Sequence, residues 1–216
     1  MYSALSFDEL NQMDMNTRSI PYEKYFGEME LPKEEKETRI KLAENMEDEF
    51  LYVMSLMFTL QKYPTPNWET ARQEFFDRYK KSLNGYVTPN ENFLAYMTAL
   101  SYEVIDATKR NIDDPYYFSQ DRAKFISENE SNVSRSFQYD LEAIAQGKTK
   151  KQWVAIMDKK TRPTHRSADG EIIGITEPFI VGGSLLMYPR DVSLGASSSE
   201  IVGCRCSVKY LSLIHI

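Results

Sequence analysis

The sequence predicts an α+β protein, in which a helical N-terminal region precedes a small α+β module with a short, mainly antiparallel sheet. Two observations predict this class. Apolar residues recur at steps of three and four over much of the first 146 residues, which is the period of an amphipathic helix. After Gly147 the pattern changes to short β-prone pieces separated by turn residues. We therefore expect a helical region at residues 1–118 and a second domain at residues 119–211.

The helical region begins with residues 1–31, which have no helical period and are predicted to form an irregular arm. Prolines and capping residues divide the chain beyond it into four predicted helices, at residues 33–62, 67–84, 89–110 and 120–146. Residues 88–91 read Thr-Pro-Asn-Glu, which predicts a capping box with Pro89 at the first helical position. The fourth helix ends at Gly147, and we expect it to pack on the sheet.

The predicted sheet module covers residues 148–211. Its five β-prone pieces lie at residues 153–157, 172–175, 179–181, 185–188 and 201–210. Residues 212–216 have neither a turn signal nor a strand pattern, and we interpret them as a non-native tail. His215 is set aside with that tail, which leaves His165 as the one histidine available for a site.

Composition excludes several classes of protein. The chain has 216 residues, 42% of them hydrophobic, which is enough for a proper core. No apolar run approaches the ~20 residues of a membrane span, and the first residues lack the pattern of a signal peptide. We expect no membrane partner. Two cysteines separated by one residue cannot form a disulfide framework, which agrees with synthesis in a cytosol.

The net charge of −6 is unevenly distributed. Residues 148–166 contain seven Lys or Arg and one acid, Asp158. Such a block on an acidic chain indicates either a contact with nucleic acid or a solvated surface that pairs with the chain's own acidic helices. The candidate nucleic-acid contacts are Lys148, Lys150, Lys151, Lys159 and Lys160.

Glu130 lies inside the apolar stripe of the fourth predicted helix, four residues after Ile126 and three before Val133. A carboxylate in that position needs a partner. One interpretation is a structural ion pair or an edge position. The other is a charge held beside Arg162, His165 or Arg205 in a functional site.

Cys204 and Cys206 alternate along a predicted strand, so both sulfurs should lie on one face and Arg205 on the other. Together with His165 they form a possible ligand set for zinc, which would need a fourth group or a water molecule. The spacing differs from the usual Cys-x-x-Cys of zinc sites. Two small buried cysteines in a β-core are the alternative.

His165 has two further interpretations. It could act as a general acid or base in the manner of metal-independent ribonucleases, together with Arg162 and Glu130. Alternatively it forms a hydrogen bond to a turn at Asp169 and Gly170. A single histidine provides no acid and base pair, and the sequence contains no phosphate-binding glycine loop. We therefore do not favour an enzyme.

A set of spaced residues resembles a known family. The set consists of Glu130, Trp153, Asp158, Thr161, His165, Asp169, Gly170, Pro189 and the Cys204-Arg205-Cys206 triplet. Their order and spacing resemble the Mu F-like head morphogenesis domain of minor head proteins of tailed phages. The resemblance covers about residues 121–210, and it implies structural roles for the residues that define it.

The resemblance also implies a function. It describes a minor capsid protein that acts with the portal protein and other capsid proteins during head assembly and contacts packaged double-stranded DNA. The implied location is the host cytoplasm during assembly and then the virion head. The same domain looks distantly related to a small RNase and toxin fold, which implies a rival function as a nuclease that uses His165, Arg162 and Glu130.

The sequence departs from the family's pattern at three positions. Family members commonly have Asn where this chain has Gly203. Others have cysteines at the positions of Arg162 and His165, which implies a Cys-x-x-Cys opposite the Cys204-Arg205-Cys206 triplet. The resemblance therefore adds support for a metal at His165, Cys204 and Cys206, but Arg162 removes one ligand from the set, so the metal and the core interpretations both stay open.

Overall fold

The structure is a computed structural model that describes residues 21–212. The predictions for residues 1–20 and for residues 213–216 lie outside this described part. Within the predicted irregular arm, Tyr22–Gly27 form a helix, α1, so that part of the prediction is wrong. Helix α1 forms because it buries Tyr22, Tyr25 and Phe26 against the following helix, which outweighs its short length.

The four long helices are close to those predicted. They are α2 (Lys33–Leu60), α3 (Trp68–Ser82), α4 (Glu91–Arg110) and α5 (Gln120–Ala145), with a 3₁₀ turn at Pro115–Phe118. Asn67 caps α3 as expected. The predicted capping box is wrong, because Asn90 and not Thr88 caps α4: its side-chain oxygen accepts a 2.9 Å hydrogen bond from the amide of Phe93. After α5, Gly147 adopts a φ of 71°, which favours glycine and ends the helix.

The α+β class is confirmed. Strands β1 (Lys150–Val154), β2 (Ile172–Gly174) and β5 (Ser207–Leu211) form an antiparallel sheet in the order β2-β1-β5. Strands β3 (Phe179–Val181) and β4 (Ser184–Leu186) form a separate hairpin. The first strand lies three residues earlier than predicted, and Trp153 pairs with Val208 in its register.

Two short helices within the module are absent from the sequence prediction. Helix α6 (Pro163–Ala168) follows β1, and helix α7 (Ser198–Ile201) precedes β5. The predicted strand at residues 201–210 is therefore wrong in its first half, where the chain turns and only then pairs with β1. These helices have one to two turns, so a period of 3.6 residues has no room to show.

The core is continuous across the predicted boundary between the two regions. One apolar cluster extends from Leu42 in α2 to Val208 in β5 and includes Trp153 of β1. Helices α2 and α5 form the largest helix contact within it. Between residues 21 and 212, no helix is both long and apolar enough to cross a membrane.

A candidate metal centre

His165, Cys204 and Cys206 meet in the module. The Nδ1 atom of His165 lies 3.4 Å from the sulfur of Cys206 and 3.5 Å from the sulfur of Cys204. The three candidate ligand atoms all lie within 4.8 Å of one another, and all three residues are buried. Sequence analysis named this set, and the structure places its members together.

Local sequence explains how the three side chains converge. Pro163 occupies the first turn of α6, where its fixed φ is favourable, and so places His165 two residues later facing the core. The cysteines lie in the turn just before β5, where Gly203 has a φ of 62°. Glycine adopts this left-handed conformation without strain.

Glu200 is a fourth member of the cluster that sequence analysis missed. Its Oε2 atom accepts hydrogen bonds from His165 Nε2 at 3.0 Å and from the Thr164 hydroxyl at 2.8 Å. A Cβ atom built on Gly182 would lie 2.3 Å from Glu200 Oε1, so the glycine leaves the space that the carboxylate fills. A lone acid in a serine-rich segment gives no signal in the sequence.

The protonation of the cluster follows from its contacts. Burial raises the pKa of Cys204, but hydrogen bonds from Cys206 and His165 outweigh it and place that pKa well below the usual value. The hydrogen bond to Cys204 raises the pKa of Cys206, and burial adds to the effect. Burial lowers the pKa of His165, but contact with Cys204 more than compensates and raises it.

Trp153 closes one side of the cluster. Its ring lies 5.6 Å from the His165 ring, nearly perpendicular to it, and it is completely buried. Among residues 21–212, the indole N–H of Trp153 has no hydrogen-bond partner of regular geometry. The same N–H lies near the sulfur of Cys206 and lowers the pKa of that thiol. An apolar wall of this kind keeps bulk solvent away from the histidine and the two sulfurs.

Asp158 and Arg205 fix the loop that leads into α6. Asp158 accepts hydrogen bonds from the backbone amides of Lys160 and Thr161. The Nη2 atom of Arg205 lies 2.8 and 2.7 Å from the two carboxylate oxygens of Asp158, and its Nη1 atom lies 2.6 Å from Glu28, just after α1. These motif residues therefore hold the backbone around the cluster.

Asp169 and Gly170 hold α6 against β1. The Asp169 carboxylate accepts a 2.8 Å hydrogen bond from the amide of Ala155, and the Gly170 amide donates to the carbonyl of Trp153. The prediction that His165 bonds to this turn is wrong, because both ring nitrogens face Glu200 and the cysteines.

Glu130 is buried, and its partners are not those of the nuclease hypothesis. Its carboxylate accepts hydrogen bonds from the hydroxyls of Tyr79 and Tyr96 and from the side-chain amide of Asn129. Within the described chain, none of its hydrogen bonds comes from Arg162, His165 or Arg205. Burial raises the pKa of Glu130, which the three hydrogen bonds only partly offset. The guanidinium of Arg162 instead donates to the carbonyl of Val202.

Arg190, which follows the motif residue Pro189, is a second buried charge. Its guanidinium donates to the carbonyl of Cys204, to the side chain of Asn129 and to the hydroxyl of Tyr25. Its backbone φ is 69°, an unfavourable conformation for a residue with a Cβ. Sequence analysis missed this residue, since a single arginine after a proline has no pattern of its own.

Comparison with known proteins identifies the family of this sequence. Residues 100–209, about half of the chain, match the family described as Phage Mu protein F like protein. The chain belongs to that family. The match begins within α4 and ends in β5, so it includes the whole candidate metal centre, and we call residues 100–209 the Mu F-like module.

Two curated proteins share parts of the sequence. Over 58 residues the chain is 40% identical to the Enterococcus faecalis (strain ATCC 700802 / V583) protein named NAD(+)--arginine ADP-ribosyltransferase EFV, covering 27% of this chain and 11% of that protein. Over 100 residues it is 33% identical to the uncharacterized protein YqbB of Bacillus subtilis (strain 168), covering 44% of this chain and 32% of that protein. The chain thus spans a third or less of these relatives. No solved structure matches it.

The predicted basic block divides into two groups in the Mu F-like module. Lys148 and Lys150 lie at the start of β1, and Lys159 and Lys160 lie beyond its end, so the strand, about 13 Å long at the usual rise, separates them. Lys209 is exposed on β5 and adds to the first group.

Lys151 has to be removed from the predicted nucleic-acid contacts. It faces inward with Trp153, is completely buried, and donates a 2.7 Å hydrogen bond to the carbonyl of Met187. Burial lowers the pKa of Lys151, while the charges of Asp140 and Asp191 raise it in part. An ammonium group enclosed in this way cannot reach a phosphate.

Proposed function

We propose that this chain is a minor head protein of a tailed phage that acts in capsid assembly with the portal protein. The observation that carries the proposal is the family match, which extends over the complete module and supports a role in phage head morphogenesis. The finer assignment to the portal rests on the resemblance of the motif residues to those of minor head proteins. The portal protein and the other capsid proteins are proposed partners, because the chain spans only part of the length of its relatives.

The roles of the motif residues support assembly over catalysis. Asp158 and Asp169 bind backbone amides, Arg205 holds Asp158, and Glu130 is enclosed by two tyrosines. All of them position one part of the chain against another. The nuclease alternative needs Glu130, Arg162 and His165 around one phosphate, and the hydrogen bonds of Glu130 lead elsewhere.

The portal assignment is tested in the phage that encodes the chain. We expect deletion of the gene to abolish infectious heads, and expression of the wild-type chain to restore them. The purified chain should bind purified portal protein in size-exclusion chromatography, and mass spectrometry should detect it in mature heads. A chain that restores heads without binding the portal would refute the finer assignment while leaving head morphogenesis intact.

The nuclease alternative is tested separately with the variant His165→Ala. We expect neither the wild-type chain nor the variant to cleave RNA. Cleavage by the wild-type chain that disappears in a folded His165→Ala variant would support the nuclease alternative and contradict the assembly proposal.

We also propose that the exposed lysines of the module contact packaged double-stranded DNA. Lys159 and Lys160 are exposed, and Lys148 and Lys150 are half-buried, so all four ammonium groups have access to solvent. Each phosphate neutralised by a lysine releases counterions, which makes the affinity depend on salt and not on sequence.

The DNA contact is tested with the quadruple variant in which Lys148, Lys150, Lys159 and Lys160 are replaced by Gln. We expect the slope of log K against log salt concentration to become shallower by about 3 to 4, since each phosphate contact contributes about 0.9. The matched control replaces four exposed lysines outside the module, Lys24, Lys33, Lys41 and Lys80, and changes the net charge equally. Equal slopes for the two quadruple variants would exclude these lysines as the contact.

A further inference from the structure

We propose that His165, Cys204 and Cys206 bind one zinc ion, and that Glu200 orients the histidine from behind. Ligands at the usual distances of about 2.0 Å for nitrogen and 2.3 Å for sulfur lie about 3.5 Å apart around a tetrahedral zinc ion. The observed distances from His165 Nδ1 to the two sulfurs are 3.4 and 3.5 Å. The histidine nitrogen and each sulfur therefore already have the separation that the ion requires, and the two sulfurs lie within 4.8 Å of each other.

The directions of the donor atoms also suit a bound cation. Glu200 accepts a hydrogen bond from His165 Nε2, so in the neutral ring Nδ1 holds a single lone pair. That lone pair faces both sulfurs. A cation between the three atoms would be bound by all of them, and two thiolates with an imidazole are a donor set that suits zinc.

Two further contacts match the surroundings of zinc sites. The pairing of a carboxylate with the outer nitrogen of a ligating histidine fixes the ring and its tautomer, and Glu200 occupies that position at 3.0 Å. The backbone amide of Cys206 points at the sulfur of Cys204 at 3.4 Å, which stabilises a thiolate. Glu200 itself is held by Thr164 and fits against Gly182.

Burial indicates a structural site. His165 is 1% exposed and Cys204 is 2% exposed, so a substrate does not reach the cluster in this conformation. Among residues 21–212, no fourth Cys, His, Asp or Glu lies within reach of all three donors, so the fourth ligand of the ion would be an enclosed water molecule. The ion would join α6 to the segment before β5, across about forty residues of sequence.

The first test is the metal content of the full chain, purified under reducing conditions from zinc-supplemented cells. We expect about one zinc per chain, and a large loss of zinc in Cys206→Ser. After zinc is removed, added Co²⁺ should produce the absorption of a tetrahedral thiolate complex. A wild-type chain that contains no zinc and binds neither Zn²⁺ nor Co²⁺ after purification would overturn the proposal.

The role of Glu200 is tested with Glu200→Gln, which keeps all three ligands and so reports on the site even if a cysteine variant does not fold. We expect zinc affinity to fall about 10- to 100-fold, as for other partners of ligating histidines. The matched control is Glu171→Gln, at an exposed acid of the same module, which should bind zinc like the wild type. Equal affinity in Glu200→Gln and the control would refute the orienting role.

Discussion

Arg190 donates a 2.6 Å hydrogen bond from its guanidinium to the side-chain oxygen of Asn129, and Asn129 in turn donates a 2.8 Å hydrogen bond to Glu130. The two buried charges are thus connected through one amide. Because Arg190 also binds the carbonyl of Cys204, this chain of contacts reaches from the centre of α5 to the candidate zinc ligands. Loss of any member leaves a buried polar group without its partner.

Replacement of Arg190 by Ala should lower the free energy of unfolding by about 3 kcal/mol, since at least three buried acceptors lose a charged donor. Arg190→Gly should be less destabilised than Arg190→Ala by about 1 kcal/mol, because only glycine adopts the φ of 69° without strain. Urea unfolding of the two variants checks the order. An alanine variant as stable as the glycine variant would show that the backbone is not strained.

Glu130→Gln should change how stability depends on pH. Burial raises the folded pKa of Glu130 above its unfolded value of about 4.3, so its contribution to stability is fully present below that pH and is lost as the pH rises through the folded pKa. The neutral glutamine cannot show this loss. We expect a flatter curve of unfolding free energy against pH for Glu130→Gln, and the wild-type curve for the control Glu44→Gln, which lies on the exposed face of α2.

Asp158→Asn should lower the free energy of unfolding mainly at neutral pH, above the range in which the Asp158 carboxyl titrates. Partial burial raises the pKa of Asp158, but the hydrogen bond from Arg205 dominates and lowers it. The stabilisation is thus present above the unfolded value of about 3.9 and is lost as the pH falls through the folded pKa. The carboxylate is partly exposed, so we expect only about 0.5 to 1 kcal/mol of coupling in a double-mutant cycle with Arg205→Met at neutral pH. Additive single variants would contradict a direct pair.

Gly182→Ala and Gly183→Ala form a matched pair. Both glycines have a positive φ, 58° and 83°, so alanine should cost about 1 kcal/mol at either position. At Gly182 alone the new Cβ would lie 2.3 Å from Glu200, while nothing lies within 4 Å at Gly183. We expect Gly182→Ala to be the less stable variant in thermal unfolding and to bind zinc more weakly. Equal stability and equal zinc affinity of the two variants would show that the Glu200 carboxylate moves away from the new Cβ without weakening the fold or the site.

The sequence predicted the long helices well because each has enough turns to show an apolar stripe. It misplaced β1 and missed α6 and α7, since segments of four to six residues are defined by their tertiary contacts. Residue chemistry offered His165 and the two cysteines as one of several alternatives, whereas Glu200 became visible only in three dimensions. Lys151 shows the opposite error: a lysine within a charged run was interpreted as exposed, but strand alternation turns it inward beside Trp153.

Three charged residues of the Mu F-like module have hydrogen-bond partners from outside it. Tyr25 binds Arg190, Glu28 binds Arg205, and Tyr79 and Tyr96 bind Glu130, and all four partners precede residue 100. The module therefore takes the partners of these three charges from the helices that precede it. A gene fusion that joins the module to a different N-terminal region would fold well only if the new region placed hydroxyl or carboxylate groups beside Arg190, Arg205 and Glu130.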